Sequence, residues 1–229
     1  MWIVLVSARP SLLLGRTGGP CLVLLEAPVV MVGTDRVEVD RRLCAGELAC
    51  PCGGRLAPWG HARARVVRGV GALRPRRARC AGCGVTHVLL AVSCLLRRAD
   101  GVRVIGAALR AKARGRGHRP VAARLGRPVS TVRGWLRAFA GNAERVRVVF
   151  TGLLAELDPV TGPVGPAGCG FADAVSVVGV CVAAAVRRLG VVGAVSAWEM
   201  ASAVTGGRLL WPGGPAGSIN TSRLLGTGG

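Results

Sequence analysis

The chain has 229 residues and is 51% hydrophobic, but only 3% aromatic, with no tyrosine. Its apolar content is mainly Ala, Val and Leu, which favours closely packed helices and argues against a large aromatic-cored sandwich. The formal charge is +20, and residues 44–141 hold 20 of the 31 basic side chains against two acidic ones, Glu47 and Asp100. A basic block flanked by near-neutral segments is the electrostatic footprint of a polyanionic partner, and it leaves few carboxylates for general acid–base chemistry.

Residues 1–35 read as an N-terminal extension. "MWIVLVSARPSLLL" (1–14) is apolar, but it lacks a basic leader and is broken by Pro10, so the pattern of a secretion signal is not met. The expected location is therefore cytoplasmic and nucleoid-associated, with reduced thiols, where close cysteine pairs favour metal over disulfides. "CLVLLEAPVVMV" (21–32) reads as either a strand pair or a poorly packed extension. A short helix is expected over 36–45, with Asp35 as N-cap, Glu38 completing a capping box and Gly46 ending it.

Within 36–98, that helix is followed by a small β unit. "CPCGG" (50–54) and "CAGCG" (80–84) are two close cysteine pairs, each followed by a glycine that lets the turn aim backbone N–H groups at sulfur. Four thiolates in two pairs suit tetrahedral Zn²⁺, and the spacer suits a β-hairpin, so a structural zinc ribbon is expected with Cys50, Cys52, Cys80 and Cys83 as ligands. The first pair is C-x-C rather than C-x-x-C, which leaves Cys44, His61 or His87 open as substitute ligands. "ARARVVRG", "RPRRARC" and "VTHVLL" supply short strands by period-two alternation. Cys21, Cys94, Cys169 and Cys181 read as small buried hydrophobes.

From 101 the pattern turns helical, and 101–158 reads as a helix-turn-helix unit. Val104, Ile105, Ala108 and Leu109 share a face, and "RGRG" (114–117) ends that helix. In "HRPVAARLGRPVSTVRGWLRAF" (118–139), Ala122 precedes Gly126 by four residues, while Val132 and Trp135 follow it by six and nine. Those spacings fit a sharp αα corner. Outward on its second helix lie Ser130, Thr131, Arg133, Gly134 and Arg137, residues suited to a DNA groove. Arg119, Arg124 and Arg127 are placed to touch phosphates.

A Pro/Gly linker (159–170) precedes a C-terminal helical segment and tail (171–229), with helices expected near 172–189 and 197–205. The second of these carries a Ser196/Glu199 capping box. The longest apolar run, 174–186, is too short to span a bilayer and reads as a buried helix. The fold class is thus α+β: a small β zinc ribbon, a mostly helical unit with a helix-turn-helix, and C-terminal helices.

"CPCGGRLAPWG", "LRPRRARCAGCGVTHVLL", "RRAD" and "GRGHRPVAARLGRPVSTVRGWLRAF" together resemble an uncharacterised actinobacterial family that joins a zinc ribbon to a helix-turn-helix. They are also similar to the N-terminal DNA-binding parts of insertion-sequence transposases. The resemblance covers roughly 36–141, and this chain is one residue short of the family's C-P-x-C-G-G knuckle. It implies a mobile-element-associated binder of double-stranded DNA, acting as a regulator or as the recognition subunit of a separately encoded transposase. A transposase of the three-carboxylate type needs acids on an α/β domain, whereas residues 142–229 carry only Glu144, Glu156, Asp158, Asp173 and Glu199 among helices and loops. A non-enzymatic protein is therefore expected. The alternatives are a protein–protein adaptor for a transposase or polymerase, and a degenerate transposase fragment.

Overall fold

A computed structural model describes residues 29–189 and 196–211. It is a mixed α+β protein with seven helices and a small sheet among the described residues. In chain order these are β1 (Val29–Val32), α1 (Arg36–Cys44), β2 (Leu56–His61), β3 (Arg65–Val67), β4 (Gly71–Leu73), β5 (Arg76–Cys80) and β6 (Thr86–Ala91), then α2 (Val102–Ala113), α3 (His118–Leu125), α4 (Val129–Ala140), α5 (Ala143–Leu157), α6 (Gly170–Leu189) and α7 (Ala197–Val204). The chain divides into two compact units, and the division is not sequential.

The first unit contains residues 29–63 and 74–90. Four strands form a sheet in the order β1-β6-β5-β2, with β2 and β6 each antiparallel to β5. α1 begins where expected: the Asp35 carboxylate accepts from the Val37 and Glu38 amides. The reciprocal half of the expected capping box is absent, because Glu38 is held by the Arg41 guanidinium at 2.8 Å. The core is small: Val32, Val39, Leu43, Leu48, Leu56, Ala78 and Leu89, together with Cys50 and Cys80. Residues 29–32, expected inside an N-terminal extension, are instead a strand of this sheet, with Met31 and Val32 buried. Cys21 and the other residues of 1–28 lie outside the described residues, as do residues 190–195 and 212–229 of the expected C-terminal segment and tail.

The second unit takes residues 64–73 as well as everything described from 91 onward. The β3–β4 ribbon, expected as part of the β element between the cysteine pairs, therefore belongs with the helices. Its tip turns through Gly69 at φ +82°. The Arg68 amide donates to the Ala99 carbonyl, and the Gly101 amide donates to the Arg68 carbonyl. Large side chains fill this core: Ile105, Leu109, Trp135, Phe139, Phe150, Leu154, Trp198 and Leu209 are buried, and Phe139 meets Phe171 edge-on at 4.8 Å between centroids.

α6 and α7, expected as a separate C-terminal segment, pack into this same unit. Asn142 donates its side-chain amide to the Leu209 carbonyl, and the Ser202 hydroxyl donates to the Cys94 carbonyl. Ser196 and Glu199 form the full capping box of α7. By length and composition Gly170–Arg188 would suffice to cross a membrane. Its stripe of Ala174, Val177, Val178, Cys181, Ala184 and Ala185 is buried in the protein, and 39% of the helix's apolar window is covered, the pattern of a helix packed along one face. Cys94 and Cys181 are buried as expected, whereas Cys169 is exposed just before α6.

Candidate metal centre and arginine face

The sheet unit places the four predicted ligands together. The Sγ atoms of Cys50, Cys52, Cys80 and Cys83 all lie within 4.8 Å of one another. Cys50 and Cys83 are 3.7 Å apart, and Cys52 and Cys80 are 3.5 Å apart. Sulfurs about 2.3 Å from a tetrahedral zinc stand ~3.8 Å from each other, so the donor set and spacing fit such an ion. The four cysteines could hold a metal ion, and zinc is compatible with them.

Two tight turns create this geometry. In the first, the Cys50 amide donates to the Gly54 carbonyl and the Gly53 amide to the Cys50 carbonyl, with Gly53 at φ +86°. That left-handed residue closes the short C-x-C loop, which a side chain there would strain. A Cβ on Gly54 would fall 2.6 Å from the Cys80 sulfur. In the second turn, the Cys80 amide donates to the Val85 carbonyl and the Cys83 amide points at the Cys80 sulfur from 3.4 Å.

The thiols are electrostatically unequal. The Cys83 amide, with help from Cys52, Gly82 and Cys83 side-chain and backbone donors, pulls the Cys80 thiol down to about 6. Burial pushes Cys50 up to about 12. Cys83 is also raised: the Val85 amide favours its thiolate, but sharing hydrogen bonds with Cys52 and Cys80 and losing water outweigh that pull. Without a cation, such crowded sulfurs cannot all be thiolates, because like charges in one site oppose one another.

Of the substitute ligands, Cys44 is exposed and outside the cluster, and His61 sits beside the Arg76 guanidinium at 3.3 Å. His87 is buried, and its Nε2 lies 3.2 Å from the Cys50 sulfur. Burial holds its imidazole below its ordinary pKa. It stands next to the tetrad rather than in it.

The helical unit holds the second set of predicted residues. α3 ends at Gly126, which is left-handed at φ +58°, and α4 starts directly after Pro128. Val121 and Ala122 on α3 and Val132, Trp135, Leu136 and Phe139 on α4 are buried, giving the corner its packed side. Ser130, Arg133, Gly134 and Arg137 recur at i, i+3, i+4 and i+7, so they line one exposed strip of α4. Neither arginine of the strip has an ion-pair partner among the described residues. Thr131 lies at the half-buried flank of the strip. Arg119 and Arg124 are exposed on α3.

Arg127 departs from the expectation of a phosphate contact. Its Nε donates to Asp100 at 2.6 Å, while Arg68 grips the same carboxylate from the β3–β4 tip at 3.0 and 2.6 Å. Asp100 is buried at 2% exposure. Burial alone would raise its carboxyl, but the two guanidiniums outweigh that cost and hold it below the ordinary range. Arg127 is thus an internal counter-ion fixing the α3–α4 turn to the ribbon. Sequence periodicity carries no signal for this triad, since its three members are far apart along the chain.

Comparison with known protein families, curated proteins and solved structures finds no match to this chain.

Proposed function

We propose that this is a zinc-stabilised, sequence-specific DNA-binding protein, with α4 as the helix that enters the major groove. The observation that carries the reading is the strip Ser130–Arg133–Gly134–Arg137. It is exposed, it holds two arginines with no ion-pair partner among the described residues, and it backs onto a packed two-helix corner. Arg can bond guanine edges bidentately, and Ser can bond bases or phosphates. Gly134 strengthens the case. A glycine inside a helix costs about 1 kcal/mol relative to alanine, and apart from its chain neighbours and the helix's own backbone no atom of the described residues lies within 4 Å of where its Cβ would be. Internal packing therefore does not require it, whereas close approach of a duplex would.

Arg119 and Arg124 on α3 supply phosphate contacts that position the corner without reading sequence. In this reading a zinc ion held by Cys50, Cys52, Cys80 and Cys83 is structural: all four positions are protein sulfur, so none is left open for substrate. The role is binding rather than catalysis, in transcriptional regulation or in target recognition for a separately encoded transposase, and the protein acts in the cytoplasm on nucleoid DNA.

The test is duplex binding after selection of preferred sequences from a random pool. Contacts to about 6–8 phosphates give a log–log salt slope of roughly −5 to −7. Arg133→Ala or Arg137→Ala should each cost about 1–3 kcal/mol and relax preference at the bases read. Wild-type affinity and selectivity in both variants would remove α4 from the interface.

A further inference from the structure

The first unit carries a second basic surface, on the opposite side of its sheet from the core. In the paired strands, Leu56, Ala78, Cys80, His87 and Leu89 point inward and are buried. The alternate residues Ala57, Arg77, Arg79, Thr86 and Val88 share the outer face, with Arg79 opposite both Ala57 and Thr86. Trp59 follows on the same edge strand and is 51% exposed, the most exposed of the four described tryptophans. The Arg79 guanidinium lies over its ring at 4.9 Å and also donates from Nε to the Gly84 carbonyl at 3.3 Å. The guanidinium thus packs on one side of a half-exposed indole.

The charge around this platform has one sign. Residues 48–63 and 74–90 contain six arginines and no acidic residue. Among the described residues, the carboxylates of the unit sit on or beside α1 instead, where Glu38 and Glu47 pair with Arg41 and Asp40 pairs with Arg76. Arg77 and Arg79 have no carboxylate partner among the described residues.

A half-exposed indole beside arginines with no carboxylate partner is the pairing that single-stranded nucleic acid uses: a base stacks on the ring and its phosphates meet the cations. A duplex hides its base faces and cannot use the indole in this way. We infer that the outer face of the sheet binds single-stranded nucleic acid, with Trp59 stacking on an unpaired base and Arg77 and Arg79 meeting the flanking phosphates. This site is separate from the α4 strip and does not depend on the duplex reading.

The experiment titrates short oligothymidylate and oligouridylate into the full chain at low salt, following tryptophan fluorescence and anisotropy of labelled strands. Quenching with binding of either strand is the expected result, and the tighter strand identifies the preferred sugar. Trp59→Leu, which keeps an apolar side chain but removes the π face, should weaken binding roughly 5- to 100-fold and remove most of the quenching. Trp59→Phe should retain much of the affinity. The Arg133→Ala/Arg137→Ala double variant should bind these strands as wild type does. Absence of single-strand binding, wild-type affinity in Trp59→Leu, or loss of binding in the arginine double variant alone would each overturn the proposal. None of those results bears on duplex affinity, which is read separately.

Discussion

The two units keep their shape by different means. The helical unit buries Phe139, Phe150, Trp135 and Trp198 with a full set of aliphatic partners. The core of the sheet unit has only small and medium side chains, and two of its nine buried members are candidate metal ligands. A core that small seldom stabilises a fold alone, whereas a bound metal contributes folding free energy directly. The difference teaches that Cys50 and Cys80 belong to the core of the sheet unit as much as to its candidate metal site, and that removing metal should act on one unit and spare the other.

The sharpest break in that comparison is Cys80→Ala. Cys80 is buried, lies 3.5 Å from the Cys52 sulfur and has its thiol pulled down to about 6 by the Cys83 amide. The substitution should abolish metal binding and unfold the sheet unit, a loss of several kcal/mol. Limited proteolysis should then cut within residues 48–63 and 74–90 while the β3–β4 ribbon and α2–α5 stay protected. Metal uptake should also release protons, because Cys50 and Cys83 are held neutral in its absence. Apparent affinity should therefore fall as pH drops, which competition with a chromophoric chelator can follow.

Asp100→Ala tests the opposite side of the comparison. It leaves Arg127 partly buried without its counter-ion. Breaking a buried pair costs about 3–5 kcal/mol, and because Arg68 is half-exposed the expected loss is nearer ~2–4 kcal/mol, confined to the helical unit. The sign with pH follows from the depressed carboxyls of Asp100 and of Glu199. For Glu199, burial acts upward, but Arg103 and the Ser196 amide prevail. Their stabilisation is complete above the unfolded carboxylate range near pH 4 and is lost as pH falls through the lower folded values. Thermal melts across that range should show a smaller acid-side loss in Asp100→Ala than in wild type.

Gly134→Ala separates stability from the proposed duplex binding within one helix. It should raise helical stability by about 1 kcal/mol in denaturant unfolding and at the same time weaken duplex binding. A gain in both would mean that the glycine faces nothing. Ser196→Ala is the smallest effect expected, ~1 kcal/mol, through loss of the α7 cap.

Local rules made much of this legible in the sequence. Asp35 capping α1, the Gly126 corner and the Ser196/Glu199 box each involve groups within a few residues of one another. The cysteine tetrad was readable because glycine after the second cysteine marks a turn even when the spacing is short by one. What escaped depends on contacts between distant residues. "LAPWGH" hides strand β2 behind a proline and a glycine, which an edge strand with a bulge at Pro58–His61 accommodates. With β2 hidden, the Trp59–Arg79 stack was hidden too. The β3–β4 ribbon alternates like any strand pair, and nothing local says that it leaves the sheet unit. Arg127 looks like any surface arginine until Asp100, 27 residues earlier, is brought beneath it.

The most direct measurement is amide hydrogen exchange on metal-loaded protein of known zinc content, repeated after chelation. The account predicts that protection in β5 and β6 collapses while α2, α4 and α5 keep theirs. Uniform loss across both units, or unchanged protection of the sheet in metal-free protein, would contradict it.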